Sequence, residues 1–571
     1  MPNFLENIFA RLQASPQRIV LREVHSEAAA NFVSVSAGEL LALVERARAW
    51  LRARQIAPGE RCGLIAANSI HWIAADLALM AEGIVVVPLY HRQTAAELAG
   101  MLQDCQPRLV LTGDSETAAA LTAAWPQMPS PVTLAQILRG TSGSGSTDSP
   151  VCAETGAAAS FSFVLNRTGG DLLTIIYTSG TSGEPKGVCL TIGNLNHMTG
   201  CTTERLDQLM AAKKSAGPDE IFLYAPMNFA ASWMLMLSAL LRESVLTLST
   251  DLNKLADEIR LSAPHYFLNV PTLLERIKRG VEDNLAKQPS PIQSLYKKAR
   301  GAWQRQQVDR GKPFDGLSVA LGRKLIFSKV TARFGPNLRA LISGSAPLAP
   351  ETQQWFLMLG VPVLQAYGLT ETTALCTLDD PRLPVEPGYV GRAVPGIEMR
   401  LAENDEIIVR GPNIFSGYWN RPQETAKVLR DGWFHTGDQG EVNASGNWRI
   451  IGRIKNLFVL NTGHKFAPEP IEDKLAQLLP AAQQIVLIGN ARSYVTMLVT
   501  GKVEPVAVQA AVDAINPDLP HYRQIRNFQI LPEGFTPDSG LITANGKLKR
   551  DAIAKRYDAE INSMYARKAS A

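Results

Sequence analysis

The run Thr178-Ser179-Gly180-Thr181-Ser182-Gly183-Glu184-Pro185-Lys186-Gly187 carries the strongest local signal for chemistry. Small residues let backbone N–H groups approach phosphate oxygens, and the Thr and Ser hydroxyls add donors without bulk. Lys186 supplies a compact positive charge, and Pro185 restrains the chain before it. The spacing is not that of a Walker A loop, because no Gly-Lys-Ser/Thr ending follows the first Gly after four residues. A flexible surface turn has the same composition. Further on, Gly344-Ser345-Ala346-Pro347-Leu348 follows the apolar run LRALI. Small residues at a strand end leave room for a flat ligand, or simply make a tight turn. In Tyr367-Gly368-Leu369-Thr370-Glu371-Thr372, the oxygens of Thr370 and Glu371 could position a magnesium ion against phosphates. Asp438, after Gly437, could accept hydrogen bonds from two ribose hydroxyls, although Asp after Gly is also ordinary turn chemistry.

These residues need a scaffold. Residues 35–120 alternate helical stretches (VSAGELLALVERARAWLRAR, HWIAADLALMAEG, AAELAGMLQDC) with short apolar ones (CGLIAAN, IVVVPLY, RLVLTG). That alternation predicts an α/β layer around a mainly parallel sheet, with Gly and Pro between elements. The strand LLTIIY leads directly into the phosphate-type loop. Residues 139–160, rich in Gly and Ser, read as a surface loop without chemistry. Leu273 to Phe334 is helical in pattern and carries many Lys and Arg. Beyond Gly452 the pattern is that of a small α+β unit.

The ordered set of motifs resembles the adenylate-forming superfamily of acyl-CoA synthetases, luciferases and peptide-synthetase adenylation domains. The resemblance spans nearly the whole chain. It implies a large N-terminal domain of packed mixed sheets with helices (1–453) and a small mobile α+β C-terminal domain (454–571). It also implies ATP, Mg2+ and coenzyme A as ligands. On that resemblance YTSGTSGEPKGV covers the ATP β- and γ-phosphates, Gly344 to Pro347 line the adenine and Tyr367 stacks on it. Thr181 and Glu371 face magnesium, Asp438 holds the ribose, and Arg453 makes a second ribose or phosphate contact. Lys455 falls at the hinge, where the following residue is commonly Asp in the family and is Asn456 here. Ala544-Asn545-Gly546-Lys547-Leu548-Lys549-Arg550 matches the closing motif, with Lys547 as catalytic lysine; without the resemblance it is a basic surface turn. Lys547, Lys186, Thr370 and Glu371 are therefore the expected catalytic set.

The segments APEPIE, VPTLLERI and the insertion before KLIFSKVTARFG are similar to the long-chain fatty acyl-CoA synthetases. They imply a medium- or long-chain fatty acid as substrate and coenzyme A as acceptor. GHKFAPEPIE departs from the usual Gly-Glu-Asn start at His464 and Lys465. The family motif Leu-Pro-Leu-x-His is also altered. Here Ala225-Pro226-Met227-Asn228-Phe229 places Phe229 at the His position, which leaves aryl or unusual acyl acids open. An acyl carrier protein as acceptor is the other alternative.

Composition excludes other classes. In 571 residues, 57 Lys and Arg stand against 53 Asp and Glu, a net +4 that gives no basis for nucleic-acid binding. Cys62, Cys105, Cys152, Cys189, Cys201 and Cys376 lack any paired spacing and read as reduced thiols. MPNFLENIFARLQASPQ lacks the features of an export signal, so a cytoplasmic location is expected. Ile221 to Leu241 is uncharged and long enough to cross a bilayer, but Pro226, Asn228 and Ser232 favour a strand, turn and buried helix. The basic, apolar-rich segment 273–334 raises peripheral contact with an anionic membrane as an expectation.

Overall fold

The computed structural model describes residues 3–25, 31–138, 167–179, 185–211, 217–307, 312–536, 539–542 and 548–566. The chain divides into two compact units. The first is built from Met1–Thr178, Pro185–Glu398 and Arg410–Leu429, the second chiefly from Met399–Val409 and Arg430–Ala571.

The alternation in residues 35–120 becomes one seven-stranded sheet of the first unit. Its strand Arg61–Ile65 lies parallel to both Val85–Leu89 and Leu109–Thr112. The connecting helices start where local chemistry directs. Ser36 and Glu39 form a capping box at Ala37–Ala53, and Thr94 and Glu97 do the same at Ala95–Cys105. Strands Leu172–Ser179, Pro185–Thr191 and Gly417–Tyr418 complete the sheet on one side. A nine-stranded sheet forms the other layer. Its inner strands Ser244–Ser249, Asp219–Leu223, Tyr266–Asn269, Ala340–Ser343 and Val363–Tyr367 run parallel. Antiparallel pairs close both ends of it.

Helix Ile70–Ala81 packs against strand Val85–Leu89 of one sheet and strand Ile19–Val24 of the other. This explains why it is apolar all round and buried along nearly its whole length. The uncharged stretch from Ile221 to Leu241 divides between strand Asp219–Leu223 and the buried helix Ala230–Leu240. Among the described residues no helix is long and apolar enough to cross a membrane. Cys62, Cys105, Cys189, Cys201 and Cys376 are free thiols. Cys152 and the Gly/Ser-rich loop at 139–160 lie outside the described residues.

The indole N–H of Trp233 donates to Asp76 Oδ2 at 2.7 Å, joining the two buried helices. Burial pushes the Asp76 carboxyl from 3.8 up to about 7. The folded state thus keeps a proton that the unfolded chain releases. Stability therefore falls as pH rises from about 4 to 7, by about 1.4 kcal/mol for each pH step of one. Asp76→Asn removes this dependence. Its melting temperature relative to the parent is expected to climb between pH 4 and 7 and then level off. A difference that stays flat across that range would contradict the assignment.

The second unit begins with a sheet containing Glu406–Arg410, Trp433–Val442 and Trp448–Arg453. A three-stranded sheet follows, in which Val495–Thr500 lies between Gln484–Ile488 and Ile525–Leu531. Along its central strand Val495, Met497 and Val499 enter one core with Phe466, Ile471 and Val508, while Leu498 enters another with Ile553, Ile561 and Met564. Period-two alternation thus makes both faces apolar and draws helices to each. The boundary expected at 453/454 falls inside this unit. The reason is packing: a Cβ on Gly452 would sit 2.8 Å from the Ala467 Cβ, so the sheet ending at Arg453 is pressed onto the segment that follows it.

Candidate active site

Strands Leu172–Ser179 and Pro185–Thr191 present the two ends of the phosphate-type loop, with Thr178 and Ser179 closing the first. Gly180, Thr181, Ser182 and Gly183 lie outside the described residues. Lys186, on the second strand, is held firmly. Its Nζ donates to Glu424 Oε2 at 2.5 Å and lies 5.3 Å from the centre of the Tyr418 ring. Hydrogen bonds from Lys186 and then Lys427 hold the Glu424 carboxyl down at about 2. Tyr418 reaches this place because Gly417–Tyr418 pairs with Cys189 and Val188. Its hydroxyl donates to Glu371 Oε1 at 2.8 Å. Lys186 and Glu371, far apart in sequence, therefore meet through one tyrosine.

Glu371 sits in the short turn Thr370–Thr372, just beyond strand Val363–Tyr367. The N–H of Phe415 donates to the Glu371 carbonyl at 2.9 Å, and Trp419 N–H donates to Gly187 O at 2.7 Å. Segment 415–419 thus ties the turn to the loop strand. Strand Ala340–Ser343 runs parallel to Val363–Tyr367, with Ser343 opposite Gln365. Gly344 therefore emerges beside Ala366, and Gly344, Ser345, Ala346 and Pro347 come to the same sheet end as Tyr367 and Gly368. Ser345 has φ +73°, a left-handed conformation that turns the chain sharply. Crevices at the carboxyl ends of parallel strands are where α/β sheets bind ligands.

Asp438 and Arg453 belong to the second unit. They face each other across strands Trp433–Val442 and Trp448–Arg453, with Arg453 Nε 2.8 Å from Asp438 Oδ1. Asp438 is buried, and its N–H donates to Thr436 Oγ1 at 3.0 Å. After Arg453 comes the turn Ile454–Asn456, which contains Lys455. The Asn456 amide donates to Glu469 Oε1 at 2.7 Å, and burial pushes the Glu469 carboxyl up. An Asp at position 456 would instead meet that carboxylate. Lys547 lies outside the described residues, but Arg550 shows what anchors the end of its motif. The guanidinium donates to both carboxylate oxygens of Glu472, at 2.8 Å to Oε1, and lies 3.9 Å from Glu469. A separate cavity of about 330 Å3 in this unit is lined by Asp405, Gln439, Lys465, Phe466 and Arg523 among others, and by none of the expected site residues.

Tyr418, Glu424 and Arg550 are the participants that sequence reasoning did not single out. Tyr418 and Glu424 lie in GYWNRPQE, whose only local signal is turn chemistry.

A two-sheet α/β unit whose parallel strands end at the candidate site, followed by a small α+β unit, defines a class of ligand-binding enzyme scaffold. Residues 9–419 match the AMP-binding enzyme family, and residues 455–569 match the AMP-binding enzyme C-terminal domain. A long-chain-fatty-acid–CoA ligase from Mycobacterium bovis is 29% identical, covering 89% of this chain and 88% of its own. Among solved structures, O-succinylbenzoate coenzyme A synthetase from Bacillus subtilis in complex with AMP superposes with a TM-score of 0.72 at 18% identity, covering 96% of this chain and 98% of that one. A Mycobacterium tuberculosis fatty acyl CoA synthetase gives 0.63 at 21% identity, covering 98% and 99%. The chain belongs to the AMP-binding enzyme family, within the adenylate-forming superfamily.

Proposed function

We propose that this enzyme activates a carboxylic acid with ATP as its acyl-adenylate, releasing pyrophosphate, and then transfers the acyl group to coenzyme A with release of AMP. We further propose that the acid is aryl or otherwise departs from a straight-chain fatty acid. Bound ATP supplies the electrophilic α-phosphorus. The residues of this chain fit it: Gly344 adds no side chain at the sheet end, and Lys186 presents a cation above Tyr418. Glu371 offers a carboxylate oriented by the Tyr418 hydroxyl. Among the described residues no three His, Cys, Asp or Glu side chains gather as a metal cage. A magnesium ion beside Glu371 would therefore draw most of its ligands from phosphate and water, as that ion commonly does. Asp438 and Arg453 are assigned to ribose, and Lys547 to the attacking carboxylate.

The observation that carries the choice of acid is Phe229. It caps helix Ala230–Leu240 and lies beside Tyr90, with ring centres 6.3 Å apart, where the family places a His. Two adjacent rings offer edges and faces to a planar substrate. The fold is shared alike with a ligase of an aromatic acid and with a fatty acyl CoA synthetase, so the choice rests on Phe229. A long-chain fatty acid is the second reading, supported by the fatty-acid–CoA ligase relative.

ATP–pyrophosphate exchange across aryl and fatty acids is the test. Exchange is expected to be fastest with an aryl or atypical acid. Faster exchange with medium- or long-chain fatty acids would select the second reading, and no exchange with any acid would count against adenylation. Thioester formation on a phosphopantetheinylated carrier protein, but not on coenzyme A, would replace the acceptor.

A further inference from the structure

Four of the eleven large hydrophobic side chains exposed among the described residues fall within 314–325. The others are scattered singly, which is ordinary for a protein surface. Phe314 is 78% exposed, Leu317 65%, Leu321 43% and Leu325 50%. The three leucines recur every fourth residue along helix Asp315–Gly322 and the turn Arg323–Phe327 that continues it. That spacing makes an outward stripe. The opposite side is already satisfied, because Val319, Ile326, Phe327 and Val330 enter the core of the first unit. A helix needed only for its own domain would carry polar residues outward. This one is apolar on both sides.

Among the described residues of 312–334 the exposed charges have one sign. Lys312, Lys324, Lys329 and Arg333 are exposed, and so are Lys297 and Lys298 on the neighbouring helix Ser290–Gln307. The only acid within 312–334 is Asp315. It is buried and occupied by Arg305, with Nη2–Oδ1 2.5 Å and Nε–Oδ2 3.0 Å. Arg300, by contrast, is compensated by Glu282 at 3.2 Å.

The geometry points to an anionic lipid bilayer as the partner of this face. Phe314, Leu317, Leu321 and Leu325 enter the boundary between headgroups and acyl chains, and Lys312, Lys324, Lys329 and Arg333 meet the lipid charge. An exposed apolar stripe suits a fluid surface, and a surplus of exposed cations selects a negative one. The inference rests on this surface alone and stands apart from the choice of acid or acceptor.

Sedimentation of the full-length protein with vesicles tests it. Vesicles of phosphatidylcholine containing phosphatidylglycerol are expected to carry the protein down at low salt, and much less so at high salt. Vesicles of phosphatidylcholine alone should carry little. Leu317→Ser with Leu321→Ser, and separately Lys324→Glu with Lys329→Glu, should each lower partition by roughly ten-fold. Val506→Ser, at an 81% exposed valine of the second unit, should leave it unchanged. Equal, salt-insensitive recovery with both vesicle types would overturn the proposal, as would parental partition of the leucine variant. So would a lipid-free dimer, seen by light scattering and dissolved by the leucine substitutions, because a second copy would then be the cover.

Discussion

Arg550→Met is expected to lower the melting temperature of the protein and to slow adenylate formation severely. Arg550 donates to both oxygens of Glu472 and stands near Glu469, and all three side chains are largely buried. Glu472 also accepts the Leu487 N–H at 2.7 Å, so it fixes helix Glu469–Leu478 to strand Gln484–Ile488. Removing the guanidinium leaves two buried carboxylates without their cation, a loss of about 3–5 kcal/mol for a pair broken from one side. Glu472→Gln keeps the acceptor for Leu487 while removing the charge. The double variant Arg550→Met, Glu472→Gln should therefore recover much of the lost stability. Activity should not return to the same extent, because Arg550 is the last residue of the closing motif and the first of helix Arg550–Arg556. It is a positioning residue for the segment that ends in Lys547-Leu548-Lys549. Thermal melts and pyrophosphate exchange on the three variants separate the two effects. Parental exchange in Arg550→Met would reject the positioning role, and an absence of rescue in the double variant would reject the ion-pair account.

Which parts of this arrangement were legible in the sequence follows from how local each one is. Helices Ala37–Ala53 and Ala95–Cys105 could be read because periodicity and Ser or Thr caps lie within a few residues, and Ile70–Ala81 because its apolar run is too long for a strand. The strand before Thr178 could be read because LLTIIY, five apolar residues interrupted only by Thr174, leads straight into a Gly-rich turn. The edge pair Ile19–Val24 and Phe32–Ser36 had no comparable signal. Strand Ile19–Val24 is defined by its parallel partner Ser244–Ser249, more than two hundred residues downstream. The same holds at the site. Lys186 announced itself through its loop, but its partner Glu424 is 238 residues away, and nothing local marks a glutamate that will meet a lysine. Tyr418 was hidden in a turn for the same reason. The APEPIE and NGKLKR segments were each recognisable, yet only the fold shows that Glu472 of one grips Arg550 of the other. The exposed leucines of 314–325 were masked by composition, since sequence alone does not divide two apolar faces of one helix into inner and outer.

Gly368→Ala is expected to be the most damaging single-methyl change at this sheet end. A Cβ there would lie 2.1 Å from the carbonyl oxygen of Ala374 and 2.6 Å from both its carbon and the Leu375 Cα. These are backbone atoms, so no rotamer change relieves the clash. The surrounding turn is closed upon itself: Cys376 N–H donates to Tyr367 O at 2.7 Å, and Ala374 N–H to Leu369 O at 3.1 Å. Thr373 and Ala374 already hold positive φ, at +50° and +79°. The strain must therefore open the turn between Tyr367 and Cys376, which carries Glu371 away from the Tyr418 hydroxyl. Overpacking costs about 1–3 kcal/mol, and a displacement near 1 Å at reacting groups lowers rates by roughly a hundred-fold. Gly344→Ala is the informative contrast. Its Cβ would meet the Ala366 carbonyl oxygen at 3.4 Å and the Ala366 Cβ at 3.9 Å, contacts the fold can accept. That variant should melt close to the parent, and any loss in pyrophosphate exchange would then report crowding of the ligand rather than damage to the sheet end. If Gly368→Ala matched the parent in both melting and exchange, the rigid link from this turn through Glu371 to Tyr418 and Lys186 would have to be abandoned.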